Sequence, residues 1–129
     1  MSTKLLVEIL KQLNENGFKA SIFALKDGLP LASISDEIDE KVVSAMSAML
    51  LDSVERVRDT LELSEMINIK IDFEDSCILI RNIIIKEKSY ILAGFTSKPA
   101  SDEVDKYNKQ LLKWAEENGR PILEKLSSL

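Results

Sequence analysis

The sequence has no histidine in 129 residues. That removes the commonest general base, the commonest metal ligand and every Ser-His or Cys-His pair. Cysteine occurs once, as Cys77, so an intramolecular disulfide and a multi-cysteine zinc site are both excluded. The four glycines, Gly17, Gly28, Gly94 and Gly119, are too scattered to build a P-loop or a dinucleotide-binding fingerprint. Aromatic residues make up only 5% of the chain and no polar cluster interrupts the strand-like runs, which ranks a small-molecule sensor last among possible functions. No apolar stretch approaches the ~18 residues of a membrane span. The N-terminus, MSTKLLVEILKQLNENG, lacks the unbroken apolar centre of a signal peptide. Positive charge is in the minority, 17 basic against 22 acidic residues for a net charge of −5, whereas a phosphate-backbone binder needs a basic footprint. These absences lead to the expectation of a cytoplasmic protein with no cofactor, no metal, no membrane insertion and no nucleic-acid partner, and they count against hydrolase and metalloenzyme readings.

What the sequence does contain is enough for one core. Ile, Leu and Val total 38 residues in a chain of 14.5 kDa, which suits a single domain over residues 1–129. Leu5, Leu6, Ile9, Leu10 and Leu13 recur at helical spacing between Thr3 and Asn16, with Gly17 placed to end the helix. Phe18–Lys26 and Leu29–Ile34 read as strands joined by Asp27-Gly28, a type I′ hairpin signal; Pro30 marks the second as an edge strand. A long helix follows over about Asp36–Leu61, with Ser35 as its expected N-cap and Asp36 and Glu37 in the first turn. Met66–Phe73, Cys77–Ile85 and Ser89–Phe95 read as a meander of three strands with short polar connections. A last helix spans about Ser101–Asn118, ended by Gly119, with Pro121 opening one further helical piece. The order α-β-β-α-β-β-β-α implies an α+β sandwich on a five-stranded antiparallel sheet.

Two features exceed what a lone monomer needs. In the long helix, Ile38, Val42, Ala45, Met49 and Ser53 form one row, and Val43, Met46, Leu50, Val54, Val57 and Leu61 form the next. Together they are wider than the ~100° stripe of a helix lying once on a sheet. Either the helix is well buried within its own chain, or one stripe meets the sheet and the other a partner helix. The small run Ser44, Ala45, Ser47, Ala48 would permit close approach of that partner. The strand Met66–Phe73 alternates, with Ile67, Ile69, Ile71 and Phe73 facing one way and Met66, Asn68, Lys70 and Asp72 the other. At a sheet edge it is either a solvated margin guarded by Lys70 or a template for a second strand. A two-fold axis at Ile71 would set Lys70 of each copy opposite Asp72 of the other.

The segments ASIFALKDGLPLAS (Ala20–Ser33), SAMSAMLLDSVERV (Ser44–Val57) and SYILAGF (Ser89–Phe95) together resemble the roadblock, or dynein light chain, domain family. The resemblance covers the core, residues 5–95; the C-terminal segment over 101–127 rests on helical pattern. It implies a profilin-like sheet with the long helix on one face and the terminal helices on the other. It also implies a dimer that pairs third strands and long helices, with itself or with another roadblock subunit. Family members serve as platforms or activators for Ras-like small GTPases, as parts of signalling scaffolds and as dynein light chains. On this basis the expected self-contact comprises Met66, Asn68, Lys70, Ile71 and Asp72 on the strand with Val43, Ser47, Leu50 and Val54 on the helix. The expected GTPase-facing residues are Asp52, Glu55 and Arg56. The function expected is a non-enzymatic homodimeric regulator or scaffold that binds a Ras-like GTPase. The alternatives are a passive subunit of a larger assembly and, last, a small-molecule sensor.

The remaining chemistry-bearing residues have modest readings. Cys77 reads as a small core residue, since nothing nearby would activate its thiol. Asp36, Glu37, Asp39 and Glu40 read as compensation of a helix dipole, and Glu74 and Asp75 as turn residues. Arg81, in mid-strand, requires a partner that the sequence does not name. Lys113, Trp114, Ile122, Leu123, Leu126 and Leu129 read as packing onto the second face of the sheet or, alternatively, as a docking helix for a partner.

Overall fold

In the computed structural model, which describes residues 2–35 and 39–128, the apolar periodicities resolve into three layers. The elements are α1 (Ser2–Glu15), β1 (Phe18–Leu25), β2 (Pro30–Ser35), α2 (Glu40–Leu61), β3 (Asn68–Asp72), β4 (Ser76–Ile85), β5 (Lys88–Ser97) and α3 (Asp102–Ser127). The sheet is antiparallel throughout, in the order β2-β1-β5-β4-β3. This is the expected fold class and element order, and β2 with its leading proline lies at one edge.

Alternation along the strands supplies two cores. Phe18, Phe23, Leu79, Ile83 and Leu92 face α1 and α3, where Leu6, Leu10, Leu13, Leu112 and Leu123 complete the larger cluster. Ile22, Ala24, Ile78, Ile80, Ile91 and Ala93 face α2, which adds Leu51. Leu5, counted with the apolar row of α1, is instead exposed. Cys77 is buried in the larger cluster, and burial, its foremost cause, pushes the thiol's pKa up.

Several boundaries differ for local reasons. Helix α2 starts at Glu40, capped by Asp39, whose carboxylate accepts from the Lys41 amide at 3.0 Å. Ser35, the expected cap, ends β2; Asp36, Glu37 and Ile38 lie outside the described residues. The Asp27-Gly28 turn is not type I′, because only Gly28 has positive φ (93°). The Gly28 amide bonds to the Leu25 carbonyl at 2.9 Å, and Asp27 accepts from the Leu29 amide at 3.0 Å. The turn with both central residues at positive φ is Lys86 (49°) and Glu87 (70°), with no glycine to mark it.

Helix α3 is continuous through Gly119 and Pro121, and so the expected break is absent. Gly119 is a close-approach residue, not a stop: a Cβ there would lie 2.8 Å from Phe23 Cζ. Pro121 forfeits one backbone hydrogen bond. Leu123, fully buried, with Ile122 and Leu126 half-buried beside it, keeps the last turns pressed onto the sheet as the apolar spacing suggests. The N-cap is Ser101, accepting from the Val104 amide at 3.3 Å.

Candidate self-association surface

The face that α2 turns to its own sheet combines small residues with Leu51, flanked by half-buried Val43, Met46 and Leu50. Ser44, Ser47 and Leu51 are fully buried there. Ser44 Oγ donates to the Gly28 carbonyl, and Ser47 Oγ donates to the Val43 carbonyl at 2.7 Å. A Cβ on Gly28 would meet Ser44 O at 3.2 Å and Ala48 Cβ at 3.4 Å. The small run therefore brings α2 down onto the β1–β2 turn of its own chain. This corrects the expectation that Ser44 and Ser47 admit another helix, since both are fully buried; Ala45 stays exposed. It also removes Ser47 from the candidate contact, because a side chain with no exposed surface cannot touch a second copy.

With the small stripe inward, large apolar residues are left on the outside. Val42, Met49, Val57 and Leu61 are 63%, 72%, 52% and 62% exposed. Between this outer row and the sheet lie Val43 and Leu50, half-buried and packed on the α2-side core, with Val54 also half-buried. Val42, Ala45, Met49 and Ser53 of the first sequence row thus face outward with Val57 and Leu61 of the second, a division that spacing alone leaves open.

Among the described residues strand β3 forms the edge opposite β2 and pairs only with β4, from Asn68 against Arg81 to Asp72 against Cys77. Ile69 and Ile71 lie half-buried on the α2-side core, while Asn68, Lys70 and Asp72 are exposed. The strand is shorter than its alternating pattern. Ile67 and Phe73, expected on the buried face, fall outside it and are 65% and 47% exposed. Met66, expected on the wet face with Lys70, also precedes the strand and packs on the α2-side core. There Asn82 fixes the chain, donating from its amide to Ile67 O at 3.2 Å and from its side chain to Met66 O at 3.4 Å.

Lys70 is not a free ammonium. Its Nζ lies 2.9 Å from Asp105 Oδ1 in the first turn of α3 and 3.7 Å from Asp72 Oδ1. Lys109 Nζ joins Asp105 at 3.2 Å. The hydrogen bond to Asp105 is the main reason the Lys70 pKa is raised, and the same bond from Lys70 chiefly holds the Asp105 carboxyl below its usual range. Asp105 and Lys109 carry no sequence signal of this role, since they belong to a helix 35 residues beyond Lys70 in the chain.

The three candidate GTPase-facing residues do not form one patch. Asp52 and Arg56 are exposed and paired at 2.9 Å one helical turn apart. Glu55 is mostly covered and holds Lys26 of the β1–β2 turn at 2.8 Å. Between them, Ala45, Ala48, Met49 and Asp52 form an open groove with Lys26 and Asp27. By contrast, the space under the start of α2, lined by Ala20, Ile22, Glu40, Val43, Ala93 and Phe95, amounts to about 10 Å³, room for a single water. No helix is long and apolar enough to cross a membrane, and no group of three or more potential metal ligands occurs among the described residues.

No family model matches the sequence, and no curated protein matches it either. Solved structures do share its fold. The class is the profilin-like sandwich: Acanthamoeba castellanii profilin IA aligns at TM-score 0.55 and 9% identity, over 88% of this chain and 98% of that one. Within that class the chain has the roadblock fold. MglB from Myxococcus xanthus matches at TM-score 0.80 and 15% identity, over 96% of this chain and 91% of that one. The Roadblock/LC7 domain from Streptomyces avermitilis matches at 0.69 and 15%, over 91% and 96%. With 96% of the chain aligned to MglB, the likeness extends beyond the 5–95 core into α3.

Proposed function

We propose that this chain is a cytoplasmic, non-enzymatic regulator or scaffold that forms a homodimer and binds a Ras-like small GTPase on the outer surface of its paired α2 helices. Two observations carry the reading: the row Val42, Met49, Val57 and Leu61 is more than half exposed along α2, and β3 forms an edge of the sheet among the described residues. Burying such side chains contributes on the order of 1 kcal/mol each, which a second copy would recover. The roadblock fold supports the same arrangement. The proposed self-contact comprises Met66, Asn68, Lys70, Ile71 and Asp72 with Val43, Leu50 and Val54, joined now by Val42, Met49, Val57 and Leu61 in place of Ser47. Asp52, Glu55 and Arg56 remain the proposed GTPase side, Asp52 and Arg56 directly and Glu55 by holding the β1–β2 turn.

Sedimentation velocity at micromolar concentration tests the dimer. The parent chain is expected near twice 14.5 kDa. Ile71→Lys, which sets two ammonium groups at the axis, and Val57→Asp, which leaves the sheet untouched, are each expected to sediment as folded monomers. A parent chain sedimenting as a monomer refutes the reading. Binding to a candidate GTPase loaded with GTP and with GDP tests the partner. A regulator distinguishes the two states, whereas equal binding makes the chain a passive subunit.

A further inference from the structure

The strand bearing the proposed two-fold axis is tied to the C-terminal helix by one ion pair among the described residues, Lys70 with Asp105. We propose that Asp105 on α3 is part of the self-association surface, supplying the negative charge that allows the β3 strands of two copies to pair. The proposal rests on the homodimer reading above and extends it to an element that reading does not include.

An edge lysine ordinarily keeps strands apart, because pairing brings its ammonium into a desolvated margin beside a second one. With the axis at Ile71, each copy places Lys70 beside Asp72 of the other. Each half of the junction then holds Lys70 and Lys109 as cations and Asp72 and Asp105 as anions. Lys98 and Asp102, which rim the same cleft, cancel each other. The junction is neutral only while Asp105 is ionised and α3 is docked. Without that carboxylate each half carries one excess positive charge, and the two halves face each other across the axis. Asp105 is well placed for this, sitting in the first turn of a helix whose dipole favours an anion there.

The test compares the dimer dissociation constants of four chains by sedimentation equilibrium, at low salt and at 1 M NaCl, with circular dichroism as the check on folding. Asp105→Asn is expected to weaken the dimer about tenfold at low salt, since the substitution acts twice across a two-fold axis. The difference is expected to shrink at 1 M salt, where charges are screened beyond about 3 Å. Asp105→Asn combined with Lys109→Gln restores neutrality and is expected to restore the parent affinity; Lys109→Gln alone is expected to weaken it. An unchanged constant in Asp105→Asn overturns the proposal while leaving the homodimer standing. A double variant as weak as Asp105→Asn also overturns it, since Asp105 would then act by holding α3 in place. A parent chain that is monomeric throughout overturns the homodimer reading and this extension together.

Discussion

Arg81 Nε on β4 lies 2.7 Å from Glu116 Oε1 on α3, each side chain only 13% exposed, and Arg120 Nη2 reaches the other Glu116 oxygen at 3.0 Å. Arg120 also donates to the Ile84 carbonyl at 2.9 Å. One carboxylate thus joins a strand cation and a helix cation, pinning the middle of α3 to the sheet. Removing the shared anion leaves the largely covered Arg81 guanidinium without its counter-charge and with Arg120 nearby. Glu116→Gln is expected to lower stability by about 2 kcal/mol, since hydrogen bonds to charged groups contribute roughly 1.5–3 kcal/mol. Urea unfolding with an unchanged m-value checks it. Arg120→Gln, at a more exposed position, is expected to cost less.

Gly119→Ala weighs helix propensity against packing. Alanine is favoured by about 1 kcal/mol in a helix interior. Its Cβ would sit 2.8 Å from Phe23 Cζ and 3.1 Å from Phe23 Cε1, and that ring is fully buried. Overpacking of this kind costs about 1–3 kcal/mol, so a net loss of up to about 2 kcal/mol is expected. Phe23→Leu is expected to be less destabilising in the Gly119→Ala background than alone. Additive effects in a double-mutant cycle would remove the contact as the cause.

The β4–β5 hairpin offers the opposite sign. Lys86 and Glu87 both hold positive φ, a conformation that costs a side-chain-bearing residue roughly 1–2 kcal/mol and glycine little. Lys86→Asn with Glu87→Gly is expected to stabilise the chain by about 1 kcal/mol. Gly28→Ala is expected to destabilise it, since both φ and the contact with Ser44 O oppose a Cβ. Thermal denaturation ranks the variants; a lower midpoint for the hairpin pair would refute the strain.

Acid and base act on the Lys70–Asp105 pair in opposite ways. The Asp105 carboxyl titrates below its usual 3.8, so its contribution is complete above that value and is lost as pH falls through the lower folded one. The Lys70 ammonium titrates above its usual 10.5, so its contribution is complete below that value and is lost as pH rises through the folded one. Stability attributable to the pair is therefore expected to be flat between about pH 5 and 9. Asp105→Asn should remove the part of the acid limb that belongs to this carboxyl. Identical acid limbs in parent and variant would show that Asp105 does not titrate differently on folding.

The sequence by itself determined the element order, the edge position of β2 and the lack of any histidine or glycine-rich phosphate loop. Periodicity reports which residues are apolar, and turn residues report where the chain reverses; both are local. Tertiary structure alone decided which side of α2 meets the sheet. Ser44, Ser47 and Ala48 bury better than Met49 because small side chains let the helix approach the β1–β2 turn at Gly28. It decided the function of Gly119, since a helix stop and a close approach to Phe23 look alike in one dimension. It also supplied Arg81 with Glu116 and Lys70 with Asp105, each partner 35 residues away in sequence. Charge pairing acts through space, and a linear pattern records the charge without recording what will stand opposite it.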